Sequence, residues 1–238
     1  MDYEKKAVVI GATSGIGREL ALLLEKNGWK VGATGRRQPL LDDLCTASTH
    51  GGIIPLCFDA TEARSLEQNL ATLEKMLGGL DLFIISAGTG FLNPELDPDL
   101  ELQTVATNVQ AFTRLCDWAF SRFESKKKGH LAAITSVSGL IADANSPAYS
   151  ASKAYQVLYL DGLRKRAKGK ALPITITDIR PGSVDTDMMK GEGHFWISSA
   201  HEAALLAYEG IAKGKTLQYV SGRWSLVGIS LRIASIFR

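Results

Sequence analysis

Ala7-Val8-Val9-Ile10-Gly11-Ala12-Thr13-Ser14-Gly15-Ile16-Gly17 carries the strongest structural signal in the chain. Four apolar residues lead into a turn with glycines spaced GxxxGxG. An amphipathic segment follows, in which Leu20, Leu23 and Leu24 fall on one side. The apolar run reads as a buried strand, and the leucine spacing reads as a helix. Strand, tight turn and helix in that order make a cradle for an anion. Glycine lets the backbone approach a pyrophosphate without Cβ clashes. The helix N-terminus offers unpaired N–H groups and a partial positive charge. A turn that merely connects two elements would look similar, so the rest of the chain has to decide.

Working outward, short apolar runs recur at Ala7–Ile10, Lys30–Thr34, Ile53–Phe58, Leu80–Ile85, His130–Thr135, Ile174–Ile179 and Leu217–Val220. Most do not alternate with polar residues, which is the pattern of strands covered on both faces. Helical patterns lie between them, near 15–27, 38–48, 62–77, 98–123, 147–168 and 199–213. Strand and helix alternating along a chain predict an α/β fold, a doubly wound parallel sheet of Rossmann type. The 238 residues suit one such domain and are short for two. The expected division is a single domain over 1–222, with a substrate lid at 187–198, and an amphipathic tail over 223–238.

Composition narrows the function. Hydrophobic residues make up 45% and charged residues 22%, with a formal net charge of +2. No nucleic-acid partner is implied by that balance, and Lys126 to Lys128 read as a solvated loop. Cys45, Cys57 and Cys116 are odd in number and far apart, which argues against a disulfide framework and a zinc site. The start MDYEKKAVVIG does not read as a signal peptide. No uncharged apolar stretch approaches the ~18 residues that span a bilayer. A cytoplasmic location, with no metal, is the expectation.

The second strand ends in Gly35-Arg36-Arg37. About 20 residues past such a turn, an acid selects the ribose of NAD, whereas arginine accommodates the 2′-phosphate of NADP. Gly35 followed by Arg36 and Arg37 predicts NADP, with Arg36 as the contact to the 2′-phosphate and Arg37 either adding to it or pointing to solvent. Asp59, after the third strand, has two open roles. It could accept from the adenine amine, or cap the helix that begins in Asp59-Ala60-Thr61-Glu62.

Tyr149 and Lys153 stand four apart, hence on one face of a helix. A phenol is a poor acid at neutral pH, and a neighbouring ammonium is expected to lower its pKa and make it a usable general acid. Ser136 lies thirteen residues before Tyr149, at the end of the fifth strand. Its hydroxyl could polarise the same carbonyl oxygen, or bond only to local backbone.

These residues, with Asn108 and the segment Arg180-Pro181-Gly182-Ser183-Val184-Asp185-Thr186, resemble the short-chain dehydrogenase/reductase family from residue 6 to about residue 215. The resemblance implies a seven-stranded sheet, a nicotinamide cofactor and a catalytic Asn–Ser–Tyr–Lys tetrad made here by Asn108, Ser136, Tyr149 and Lys153. It implies nucleotide contacts at Gly11, Thr13, Ser14, Gly15, Ile16 and Gly17, at Ala87 and Gly88, and at Pro181, Gly182, Val184 and Thr186. Tyr149 and Lys153 would also touch the nucleotide. Asn108 matches an asparagine thought to hold a water in a proton relay to the lysine. Ser138 matches a common alanine and is read as non-catalytic. Two departures stand out. Ser86 replaces an asparagine expected to brace the sheet, and Ser14 stands where many NADP-preferring members carry a basic residue. NADP preference therefore rests on Arg36 and Arg37.

Substrate contacts are expected from loops 88–97, 137–146 and 187–198. Met188, Met189, Phe195 and Trp196 give the last loop an apolar character suited to an apolar carbonyl or alcohol, although they could equally pack on the domain. His194 reads as a surface residue. The tail carries Leu226, Ile229, Ile233 and Ile236 on one helical face. It reads as packing on protein, or as a peripheral membrane helix. The resemblance also implies a homodimer or homotetramer, paired through the helices at 98–123 and 147–168, with Trp118, Phe120 and Phe123 as candidate surface. A rival function is a nucleotide-sensing binding protein without turnover. The full tetrad argues against it, because binding alone needs no such set.

Overall fold

The computed structural model describes residues 4–185, 197–220 and Trp224. Nine strands and seven α-helices alternate over the described residues. They are β1 (Lys5–Ile10), α1 (Gly15–Lys26), β2 (Trp29–Gly35), α2 (Gln38–Ala47), β3 (Ile53–Cys57), α3 (Ala63–Leu77), β4 (Leu82–Ile85), α4 (Pro98–Val105), α5 (Phe112–Lys126), β5 (Gly129–Ile134), α6 (Pro147–Gly169), β6 (Ile174–Pro181), β7 (Val184–Asp185), β8 (Ser198–Ser199), α7 (Ala200–Ala212) and β9 (Leu217–Val220). Seven strands form one parallel sheet in the order β3-β2-β1-β4-β5-β6-β9, and β7 pairs with β8 separately. The doubly wound α/β fold is therefore as expected. Strand order reverses between β1 and β4, so a crevice opens beyond their carboxyl ends, where ligands bind in such sheets.

The unbroken apolar runs have a direct cause. Ala7 and Val9 of β1 face a core shared with α1, α2 and α7, whereas Val8 and Ile10 face a second core under α3, α5 and α6. Leu82 and Ile84 of β4 divide from Phe83 and Ile85 in the same way. Successive side chains leave opposite faces, and both faces are covered, so no position calls for a polar residue.

Boundaries moved by a residue or two, most visibly at β4, which starts at Leu82 rather than Leu80. The segment read as one helix over 98–123 is interrupted. A π-helical turn, Ala106–Ala111, separates α4 from α5 and contains Asn108. Such widened turns occur often at functional sites.

The surface proposed for Trp118, Phe120 and Phe123 is corrected. Phe123 is fully buried, and a Cβ on Gly129 would meet its ring at 2.0 Å. Phe120 is buried beneath Arg166, whose guanidinium lies 5.9 Å from the ring centre. Trp118 is half-buried beside Phe83. These aromatics fill the second core, where truncation of Phe123 to alanine costs about 3–5 kcal/mol. Of the expected lid, only Ile197 and Ser198 are among the described residues, and of the tail only Trp224. Met188, Met189, His194, Phe195, Trp196 and the apolar face of the tail lie outside them. No described helix is long and apolar enough to cross a membrane.

Candidate active site

The glycine turn begins where β1 ends. Gly11 has φ of +85°, a conformation that favours glycine. A Cβ there would stand 2.6 Å from the Ala87 nitrogen, and one on Gly17 would stand 2.1 Å from the Gly11 oxygen. These glycines let β1, α1 and the loop after β4 close on one another. The first N–H groups of α1 have no partner within the helix, and its first turn carries no acid. A cleft of about 630 Å³ opens in front of that turn. Thr13, Ser14, Gly15 and Ile16 line it with Gly11, while Gly17 packs behind. Ala87 and Gly88 form the next part of the wall.

Arg36 and Arg37 both border the cleft but differ in their partners. The Arg37 Nη2 donates to Thr13 Oγ1 and Ser14 Oγ, each at 2.9 Å. Arg37 thus carries its cation into the glycine turn, at the place where Ser14 stands instead of a basic residue. Arg36 turns aside to Asp59 Oδ2 at 3.4 Å, with 70% of its side chain exposed. Asp59 lines the cleft and does not cap α3. Its Oδ1 accepts from the N–H and hydroxyl of Thr61 at 2.8 and 2.7 Å, and Glu62 is the N-cap residue. Burial pushes the Asp59 carboxyl up, but the Thr61 bonds and Arg36 outweigh it and hold the pKa below its usual value. Position 35 has no room for an acid as it stands, since a Cβ there would meet Thr13 Cγ2 at 2.4 Å. Backbone N–H groups, two hydroxyls and a guanidinium form a donor set that fits a phosphate-bearing nucleotide.

At the other end of the cleft, Ser136 follows β5 and caps a short 3₁₀ turn, Val137–Leu140. Its Oγ accepts from Ser138 N at 3.0 Å, and its hydroxyl lies near enough to the Tyr149 phenol to favour the ionised form. Ser138 therefore serves Ser136 through its backbone. Tyr149 sits in the first turn of α6, and Lys153 sits one turn later with its Nζ 5.8 Å from the centre of the Tyr149 ring. Ser136, Tyr149, Lys153, Pro181, Gly182 and Val184 all line the same cleft as the glycine turn. Thr186 lies outside the described residues.

The electrostatics of this pair differ from expectation. Burial pushes the Tyr149 phenol above its ordinary value, and the nearby Ser136 hydroxyl acts against that. The expected net depression is absent, because desolvation disfavours the phenolate more than its neighbours favour it. Burial brings Lys153 down to about 8, with Asp178 opposing. Asp178 is fully buried and bound by Arg180 Nε at 2.7 Å and by Thr135 Oγ1 at 2.5 Å.

Asn108 does not line the cleft; it is buried behind it. Its side chain accepts from Thr89 N at 2.9 Å and donates to Thr89 O at 2.7 Å and Ser152 Oγ at 3.0 Å. It ties the loop after β4 to α6, a bracing role in a chain where Ser86 replaces the expected asparagine. The Asn108 backbone oxygen accepts from Gln156 Nε2 at 3.0 Å. Sequence reading missed Gln156, as well as Asp178 and Trp224. Gln156 stands three residues after Lys153, on the buried side of α6, and a polar residue at that spacing was the available signal. Trp224 lines the cleft and lies on Gly182, where a Cβ would meet its ring at 2.0 Å.

Residues 5–195 match the family model described as short chain dehydrogenase. An uncharacterized oxidoreductase of Myxococcus xanthus (strain DK1622) is 32% identical over 243 residues, covering 99% of this chain and 93% of its own. Another, from Staphylococcus aureus (strain USA300), is 30% identical over 185 residues, covering 77% and 79%. Among solved structures, a bulky-bulky ketone specific alcohol dehydrogenase from Comamonas testosteroni superposes with a TM-score of 0.80 at 21% identity, covering 96% of this chain and 92% of its own. A short chain dehydrogenase/reductase from Burkholderia phymatum in complex with NAD gives 0.84 at 16% identity, covering 96% and 93%. With a family model matched over most of its length and a relative aligned end to end, this chain belongs to the short-chain dehydrogenase family of oxidoreductases.

Proposed function

We propose that this protein is an NADPH-dependent oxidoreductase that interconverts an apolar carbonyl compound and its alcohol. The observation that carries the reading is the meeting, in one cleft, of the glycine turn with Ser136, Tyr149 and Lys153. Thr13, Ser14, the first turn of α1 and Arg37 would hold the phosphates, with Arg36 and Asp59 bordering the adenosine end. Pro181, Gly182 and Val184 would meet the nicotinamide end, and Thr186 is included by sequence. The nucleotide, when bound, supplies or accepts the hydride. Ser136 donates a hydrogen bond to the carbonyl oxygen and polarises it. Tyr149 gives its phenolic proton to the developing alkoxide, and Lys153 stabilises the phenolate that remains. Asn108 acts from behind, by fixing the loop at Thr89 against α6.

An apolar substrate is supported by Phe91, Leu92 and Trp224 on the cleft wall. The Comamonas protein, which shares the fold, is described as specific for bulky ketones. The single domain over 1–222 with a lid at 187–198, the tail as a separate element, and a homodimer or homotetramer belong to the same proposal. The test is turnover with NADPH and with NADH over a panel of bulky aliphatic and aromatic ketones. No turnover of any ketone, with nucleotide still bound, would favour the rival nucleotide-sensing reading. Equal kcat/KM for the two cofactors would refute the NADPH assignment.

A further inference from the structure

Gln156 is 1% exposed and lies one turn beyond Lys153 on α6. Its Oε1 accepts from Lys153 Nζ at 3.0 Å, and its Nε2 donates to the backbone oxygen of Asn108 at 3.0 Å. Lys153 Nζ also donates to Ile134 O at 3.1 Å. Two of the three ammonium protons are therefore committed to neutral acceptors, and one is left for the cleft that Lys153 lines. The amide can stand only one way round. Reversed, it would set an NH₂ against an ammonium and an oxygen against a carbonyl.

We propose that Gln156 is a positioning residue for Lys153: its amide fills the gap between the ammonium and the Asn108 carbonyl and makes both bonds that a relay water would make there. The proposal rests on the reading of Tyr149 and Lys153 given above. An amide holds an ammonium by a dipole and adds no counter-charge, so Lys153 keeps its full positive field for the Tyr149 phenolate. An amide also passes protons poorly, so exchange at Lys153 runs through the cleft side.

Few charges compete for that lysine. On its own helix the titratable neighbour is Tyr149. From β6 comes Asp178, already held by Arg180 and Thr135. The π turn and the 3₁₀ turn present neutral groups, Asn108, Ser136 and Ser138. Glu101 of α4 reaches the start of α6, where it accepts from Ala148 N at 2.8 Å. Burial already brings Lys153 down to about 8, so the loss or gain of one partner falls in a measurable range.

The test reads Lys153 in the protein without nucleotide. Its ¹³Cε NMR signal, assigned by its loss in Lys153→Met, is titrated with pH in wild type, Gln156→Leu and Gln156→Glu. Leucine removes the acceptor, so the midpoint should fall by about one pH unit, a tenfold change in proton affinity. Glutamate adds an anion, so the midpoint should rise by at least about as much. The basic limb of kcat/KM for ketone reduction by NADPH should move in the same two directions. A residue that only fills space would lower activity at every pH without moving either titration. Midpoints within about 0.3 unit of wild type, or moving in the same direction in both variants, overturn the proposal. If Gln156→Leu does not fold, the near-isosteric Gln156→Glu decides alone, and an unmoved midpoint overturns it. Shifted NMR midpoints with an unmoved kinetic limb uphold the Gln156–Lys153 link and instead refute Lys153 as part of the catalytic group.

Discussion

If the protein uses NADPH as proposed, replacing Arg37 with alanine should weaken its use of NADPH far more than its use of NADH. The two cofactors differ by one phosphate that carries close to two negative charges. Arg37 Nη2 is held by Thr13 and Ser14 at 2.9 Å each, so its cation is already fixed inside the glycine turn. A bidentate arginine–phosphate contact is two charge-assisted hydrogen bonds, and bonds to charged groups contribute about 1.5–3 kcal/mol each. The guanidinium is exposed, so solvent screening reduces that, and about 1.5 kcal/mol is a fair net figure. With ~1.4 kcal/mol per factor of ten, Arg37→Ala should lower kcat/KM for NADPH about tenfold. NADH makes no such contact and should change by less than about twofold. Arg36→Ala should do less, because Arg36 lies 3.4 Å from Asp59 and is 70% exposed. Raising the salt should weaken NADPH more than NADH. The assay is steady-state kinetics with both cofactors at two ionic strengths. Equal losses for the two cofactors, or a larger loss in Arg36→Ala, would show that the phosphate is bound elsewhere.

Tyr149→Phe should abolish ketone reduction while nucleotide affinity by titration stays within a few-fold. Near wild-type kcat would sink the acid role, and Ser136→Ala should slow the reaction by ~10²-fold. Asp178→Asn should destabilise the fold by about 3–5 kcal/mol in urea, since it leaves Arg180, 4% exposed, as a buried unpaired charge; a loss under about 1 kcal/mol would mean that the charge relaxes. His130 is held at about 4 by burial, with Nε2 on Thr177 Oγ1 at 2.8 Å. Its folded pKa lies below the unfolded ~6.5, so the unfolded chain binds the extra proton, and stability should fall as pH drops from ~6.5 to 4. The ceiling is about 3 kcal/mol, and His130→Gln should flatten that part of the pH curve. An unchanged curve would assign the acid sensitivity to other groups.

Features set by neighbours along the chain are legible before it folds. β1 is legible in Ala7–Ile10 because a strand covered on both faces needs apolar residues at every position. Tyr149 and Lys153 are legible as a pair because a helix brings residues four apart onto one face. The glycine turn is legible because a single element junction carries it. Features that need distant chain segments to meet emerge only on folding. Sequence order favours Arg36, which directly follows Gly35, as the phosphate contact; only the folded positions of Thr13, Ser14 and Asp59 bring Arg37 into the glycine turn and turn Arg36 aside. Gln156 is one polar position among several on a long helix until α6 packs against the π turn, which brings it to Asn108, 48 residues away. Trp224 reads as part of the tail until it lies on Gly182. Phe120 and Phe123 read as an interface until burial under the sheet shows them to be core. The expected depression of the Tyr149 pKa failed for the same reason. Helical spacing supplies the neighbouring ammonium, but desolvation is a property of everything packed around the phenol, and that is settled only when the whole chain is folded.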